Sequence, residues 1–259
     1  MAVDHEREDQ YPVAVKMENP KNAQKEFDFN ASHPRSFIPN LPARIDEYEA
    51  GVARVFHLKT GMDYYHAIDH IIDFVTNTGR TKIVDLLTDT AAFALRIADR
   101  KAFKGHIHSF DSNITLLERA KQRAVQLNLQ RTVEFKQSFH ESKLPLPDGF
   151  ANAVVSVFDL QRRPLNQYFT EILRILEPTG LFIIAILTET KTTAPIRFWQ
   201  WACLKFIYKN PAEAETIYPN REDLIKSLFC AGFRQVILQE MNASTTMRPG
   251  VFSLIAATK

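Results

Sequence analysis

Residues Ile83 to Ala98 read IVDLLTDTAAFALRIA. The opening run is apolar and short enough for a buried strand, Thr88-Asp89-Thr90 is turn chemistry, and AAFALRIA carries apolar residues at helical spacing. A strand, a tight turn and a helix in this order make the first half of a βαβ unit. The turn holds no glycine.

Working outward, the same alternation recurs. Apolar runs KIVDLL, HIHSF, TVEFK, NAVVSVF and LFIIAIL alternate with the amphipathic stretches TAAFALRIADRKAF, ITLLERAKQRAVQL and NQYFTEILRIL. Strands alternating with helices predict a doubly wound α/β fold, a mostly parallel sheet with helices on both faces. The rhythm breaks near the end, where the helix NREDLIKSLFCAGF leads to RQVILQEM, a turn containing Pro249-Gly250, and VFSLIAATK. Two strands with no helix between them predict an antiparallel hairpin closing one sheet edge. Upstream, Ile45, Tyr48, Val52, Val55 and Phe56 share one helical face, and Tyr64, Ile68, Ile71, Ile72 and Val75 a second, with Gly61 between. The expected organisation is an extended or partly disordered arm over residues 1–42, broken by Pro12, Pro20, Pro34, Pro39 and Pro42, then one domain over 43–259 whose added N-terminal helices fill 43–78.

Composition narrows the function classes. A chain of 259 residues, 45% hydrophobic and 24% charged, can bury one sizeable core. The formal net charge is +2 and the basic residues form no stripe, which points away from nucleic acid. Cys203 and Cys230 show no CxxC spacing and are expected to be reduced and partly buried. The first ten residues are charged and no run of about 18 apolar residues occurs, so neither a leader nor a transmembrane segment is expected and the reading is cytoplasmic.

Several clusters invite chemistry. His66 and His70 share a helix face, but Ala67 stands where a metalloprotease would carry its glutamate. His106 and His108 alternate on a strand beside Phe110, and packing near the sheet edge is the expectation. No metal is expected at either pair. His140 follows the third strand, near the mouth of any crevice at the strand ends. The aromatic stretch Ala194 to Pro211, within a lid-like insertion over 192–212, carries Phe198, Trp199 and Trp201. Three readings stand for it: packing on the N-terminal helices, a lid over a small apolar ligand, or a homodimer or membrane-facing surface. His140, Phe198, Trp199 and Trp201 are the candidate pocket residues.

Over Ala43 to Lys259 the chain resembles the class I S-adenosylmethionine-dependent methyltransferases, and among them the methyltransferase type 11 and ubiquinone/menaquinone C-methyltransferase-like group. Three segments carry the resemblance: IVDLLTDTAAFALRIA; FDSNITLLERAKQRA; and the long stretch from VEFKQSF through LPLPDGF and EILRILEPTG to LFIIA. It implies a seven-stranded Rossmann-like sheet and S-adenosylmethionine as cofactor, with Asp85, Thr90 and Asp111 as its contacts and Asp111 on the ribose hydroxyls. The chain departs from the pattern on the ligand side. The family's three loop glycines align with Leu87, Asp89 and Ala91, and the acidic residue after the third strand aligns with Phe139. In D-S-N-I, Asp111 or Asn113 can equally cap the next helix, and Thr88, Asp89 and Thr90 can staple the loop by side-chain caps. Two expectations follow. One is a methyltransferase-like protein that no longer binds S-adenosylmethionine in the usual manner and serves as a non-catalytic binding or partner subunit or holds an altered ligand; the other is an active methyltransferase on a small lipophilic acceptor such as a quinone precursor.

Overall fold

The computed structural model describes the backbone of residues 43–86, 88–138, 143–158, 165–189, 198, 202, 220–241 and 250–259, and their side chains except at 43–48, 165–167, 189 and 250. The elements run α1 (Ala43–Thr60), α2 (Tyr64–Asn77), β1 (Lys82–Leu86), α3 (Ala92–Ala98), β2 (His106–Asp111), α4 (Ile114–Gln126), β3 (Val133–Gln137), β4 (Ala151–Val157), α5 (Leu165–Ile175), β5 (Leu176–Glu189), α6 (Arg221–Ala231), β6 (Gln235–Glu240) and β7 (Gly250–Thr258). The expected alternation is present, with two helices ahead of β1 and the β6–β7 hairpin at the end.

One sheet of seven strands carries the molecule in the order β3-β2-β1-β4-β5-β7-β6. The first five strands pair in parallel; β7 runs antiparallel to both β5 and β6. The strand order switches sides between β1 and β4, two parallel neighbours, and the carboxyl ends of the strands at such a switch point are where this class of sheet binds ligands. The two-residue period of the strands sorts the core into two layers. Ile83, Ile107, Ala153, Ile183 and Leu254 face α1 to α4. Val84, Phe110, Val154, Phe182 and Ile255 face α5 and α6.

Local chemistry sets the boundaries. Asn113 caps α4 by accepting from the Thr115 and Leu116 amides at 3.0 and 3.3 Å, and Gly232 ends α6 at φ 111°. Gly105 has no alternative, since a Cβ there would lie 2.1 Å from the Thr81 carbonyl oxygen. Two expectations need correction. Helix α3 covers seven residues rather than running from Thr90 to Phe103, because the charged Asp99-Arg100-Lys101 offers no apolar side chain to the core and the chain must turn back to start β2 beside β1. Cys230 is exposed rather than partly buried, because Leu224 and Leu228 define the inward stripe of α6 and Cys230 falls off it. The arm over 1–42 and all of 192–212 except Phe198 and Ala202 lie outside the described residues.

Candidate functional site: the first loop and Asp111

The crevice at the β1–β4 switch is built from the carboxyl ends of β1 and β2. Asp85 ends up 2% exposed on β1, opposite Ser109 on β2. The hydroxyls of Thr88 and Ser109 both donate to Asp85 Oδ2, at 2.5 and 3.2 Å. Burial pushes the Asp85 carboxyl up to about 7, against the downward pull of those two hydrogen bonds. Asp85 is therefore the anchor of the loop that follows it, and Thr88 ties the loop to the strand.

The loop keeps a glycine backbone without glycine. Asp89 has φ 47° and Ala91 φ 60°, both left-handed, at two of the positions where the family has glycine. Thr179, in the E-P-T-G turn before the long part of β5, repeats this with φ 68°. The expectation of a side-chain staple at the start of α3 is corrected here. Ala91 stands at the N-cap in the left-handed region with no side-chain hydrogen bond, because the Thr88 hydroxyl is spent on Asp85 and a left-handed N-cap turns its neighbours away from the first-turn amides.

Asp111, 8% exposed at the end of β2, accepts two amides of its own chain. The Asp89 N–H donates to Oδ2 at 2.9 Å, and the Asn113 N–H donates to Oδ1 at 2.8 Å. Of the two cap candidates in D-S-N-I, Asn113 takes the helix and Asp111 is left to bridge from β2 to the first loop. A second clamp comes from α4. Arg123 is 3% exposed, and its Nη1 donates to the Thr90 carbonyl at 2.5 Å and pairs with Glu49 of α1 at 3.3 Å. Glu49 also receives the Tyr65 hydroxyl from α2; burial first, and then this carboxylate, push the Tyr65 phenol upward. Arg96 of α3 stacks over the Tyr65 ring at 5.5 Å and pairs with Asp69 at 2.8 Å. Thr90 thus belongs to the site through its backbone carbonyl.

Across the switch, Phe158 follows β4 with φ 58°, a costly conformation for a bulky residue. It is held by its N–H on the Ala185 carbonyl at 2.7 Å and by Phe56, Phe252 and Tyr64, whose ring centres lie 4.9, 5.3 and 5.9 Å away. Aromatic residues from α1, α2 and β7 thus pack around the residue that follows β4.

Asp85, Thr90 and Asp111 all bear on the first loop: Asp85 through Thr88, Thr90 through its carbonyl and Asp111 through the Asp89 amide. Of the pocket candidates, Phe198 is 67% exposed, whereas His140, Trp199 and Trp201 lie outside the described residues, as do Leu87 and Phe139. His66 and His70 pack edge to face at 4.7 Å, and Asp69 turns away to Arg96 and Arg100. Sequence reading missed Glu49, Tyr65, Arg123, Ser109 and Phe158. Arg123 left a signal, since it falls on the same helix face as Leu117, Ala120 and Ala124, where an arginine must find a buried partner.

A family model described as a methyltransferase domain matches residues 77–216, more than half of the chain and the whole β1–β5 core. The chain belongs to the class I S-adenosylmethionine-dependent methyltransferase superfamily. Among the relatives of this methyltransferase-family chain is the ubiquinone/menaquinone biosynthesis C-methyltransferase UbiE of Rickettsia bellii, 23% identical over 173 residues, which are 60% of this chain and 69% of that one. The Rickettsia felis protein of the same name is 23% identical over 177 residues, 62% of this chain and 71% of its own. Among solved structures, the [4+2]-cyclase SpnF superposes with a TM-score of 0.61 at 17% identity, over 84% of this chain and 94% of that one. An S-adenosylmethionine-dependent methyltransferase of Thermotoga maritima gives 0.55 at 20% identity, over 84% and 97%. These superpositions share the fold of this methyltransferase-family chain. No helix among the described residues is long and apolar enough to cross a membrane.

Proposed function

We propose that this methyltransferase-family chain does not take S-adenosylmethionine in the usual manner and acts as a non-catalytic binding or partner subunit. One observation carries the reading: both oxygens of Asp111, the carboxylate that the family resemblance assigns to the ribose hydroxyls, already hold backbone amides from Asp89 and Asn113. Each oxygen can accept a second hydrogen bond, so a ribose in the usual place would have to share Oδ1 and Oδ2 with these two amides. Were the part-buried Asp89 amide to lose its place on Oδ2, the cost would be at most about 1–3 kcal/mol. Asp89 also brings a carboxylate to a position where glycine would leave open space for the cofactor's own carboxylate. The residues present fit this cofactor poorly.

The test is calorimetric titration of the full chain with S-adenosylhomocysteine, with circular dichroism to show a folded protein. No heat at millimolar ligand is the expected result. Micromolar binding that Asp111→Ala abolishes overturns the proposal. A second reading has its own support: the left-handed backbone at Asp89 and Ala91 keeps the shape that a cofactor loop needs, and the Rickettsia relatives are named as C-methyltransferases. On that reading the chain methylates a small lipophilic acceptor such as a quinone precursor. Binding in the titration would favour it.

A further inference from the structure

At the opposite end of β2 lies a cluster with no part in the first loop. His106 and His108 occupy alternate positions on β2, so their side chains leave the same face of the sheet. Glu134 stands on β3 opposite His108 in the parallel register. The His108 Nδ1 lies 3.0 Å from Glu134 Oε2, and the two imidazole rings are 4.7 Å apart. One ligand atom from each of the three residues lies within 4.8 Å of the others, and among the described residues no other three His, Cys, Asp or Glu groups gather in this way.

We infer that His106, His108 and Glu134 form a zinc site that ties the edge strand β3 to β2. Two imidazole nitrogens and one carboxylate oxygen are a donor set that suits zinc, whose bonds to them run about 2.0–2.2 Å. Ligand atoms must then draw to roughly 3.3 Å of one another around a tetrahedral ion, a closure of about 1.5 Å that side-chain rotation supplies. The three groups are half-buried, which leaves the fourth position to water. Phe150 packs edge-on against the His108 ring at 4.9 Å and fixes its plane. The described part of the β3–β4 connection lays Leu144, Leu146 and Phe150 on this face of the sheet rather than a helix, and leaves the His108 side chain 14% exposed. Two cations stand nearby. Lys136 pairs with Glu134 at 3.0 Å and Lys82 lies over the Phe150 ring at 5.0 Å. The Lys136 side chain is 40% exposed, so it can turn to solvent when a dication takes the shared carboxylate. Of the two β2 ligands, His106 lies five positions and about 17 Å of strand from Asp111 and His108 three positions and about 10 Å, and the site does not rest on the proposed function.

The probe is zinc chloride, titrated into the metal-stripped full chain by calorimetry, with thermal unfolding alongside. One equivalent should bind and raise the melting temperature. His106→Gln should weaken binding by more than about 100-fold, the upper end of what losing an outer-shell partner costs, whereas the paired His66→Gln/His70→Gln variant should bind as the parent does. Glu134→Gln, at a half-exposed position, covers the case in which His106→Gln fails to fold; it too should lose binding. Cobalt(II) added to the parent chain should give the visible bands of a four-coordinate ion. No zinc binding by the parent, binding retained in Glu134→Gln, or binding lost in the His66/His70 variant overturns the inference.

Discussion

Asp85 is a carboxyl in the wrong solvent. Its ordinary value is 3.8 and burial raises it to about 7, so the folded chain holds this proton more tightly than the unfolded one. Stability from this group is fully present below the unfolded value and is lost as pH rises from about 4 to about 7, at up to roughly 1.4 kcal/mol per pH unit. Asp85→Asn should remove that slope, and urea unfolding of both proteins across this window measures it; parallel curves would show that the carboxyl is not perturbed. Asp89→Gly belongs to the same scale. Removing the side chain from a left-handed position in the loop should relieve strain and open the space beside Asp111, so S-adenosylhomocysteine binding gained by this variant alone would show that one side chain closes the crevice. Asp85 and Asp111 were legible in the sequence because they fall at strand ends. The partners of Asp111 were not, since an amide two residues on and another 22 residues earlier meet only once β1 and β2 are side by side.

Elements were legible where periodicity is strong. All seven strands were expected from their apolar runs, and α2 shows its stripe of Ile68, Ile71, Ile72 and Val75 in full. Helix α3 was overextended because Phe103 has the right spacing yet reaches the core from a turn after the helix has ended. Left-handed backbone at Ala91, Phe158 and Thr179 was invisible for a physical reason: unlike Gly, Asn or Asp, none of these residue types favours that region. The E-P-T-G turn tests this. Thr179 is a β-branched residue at φ 68° on the surface, and Thr179→Gly should raise stability by about 1 kcal/mol, read as a higher urea midpoint at unchanged slope. A lower midpoint would mean that the threonine side chain itself holds the turn.

On the sheet face that carries α1 to α4, two of the helices are joined by a buried ion pair. Arg123 and Glu49 link α4 to α1, and through the Thr90 carbonyl they reach the first loop. Glu49→Leu alone should cost about 3–5 kcal/mol by stranding a buried guanidinium, and Glu49→Leu with Arg123→Leu should recover much of it. Chemical unfolding of the two single variants and the double one measures the coupling; additive losses would show that the pair does not act as a unit. The fold was legible at this scale because alternating strands and helices admit few topologies. The pair was not, because 74 residues separate its members. The left-handed turn at Asp89 and Ala91 draws its shape from β2 and α4 rather than from its own residues, and this has a kinetic consequence. A peptide cut out around it would not hold the turn, and in the intact chain the loop can order only after those elements have docked. Weakening it, as in Thr88→Ala, should therefore speed unfolding several-fold and leave the refolding rate nearly unchanged, which stopped-flow chevrons would resolve.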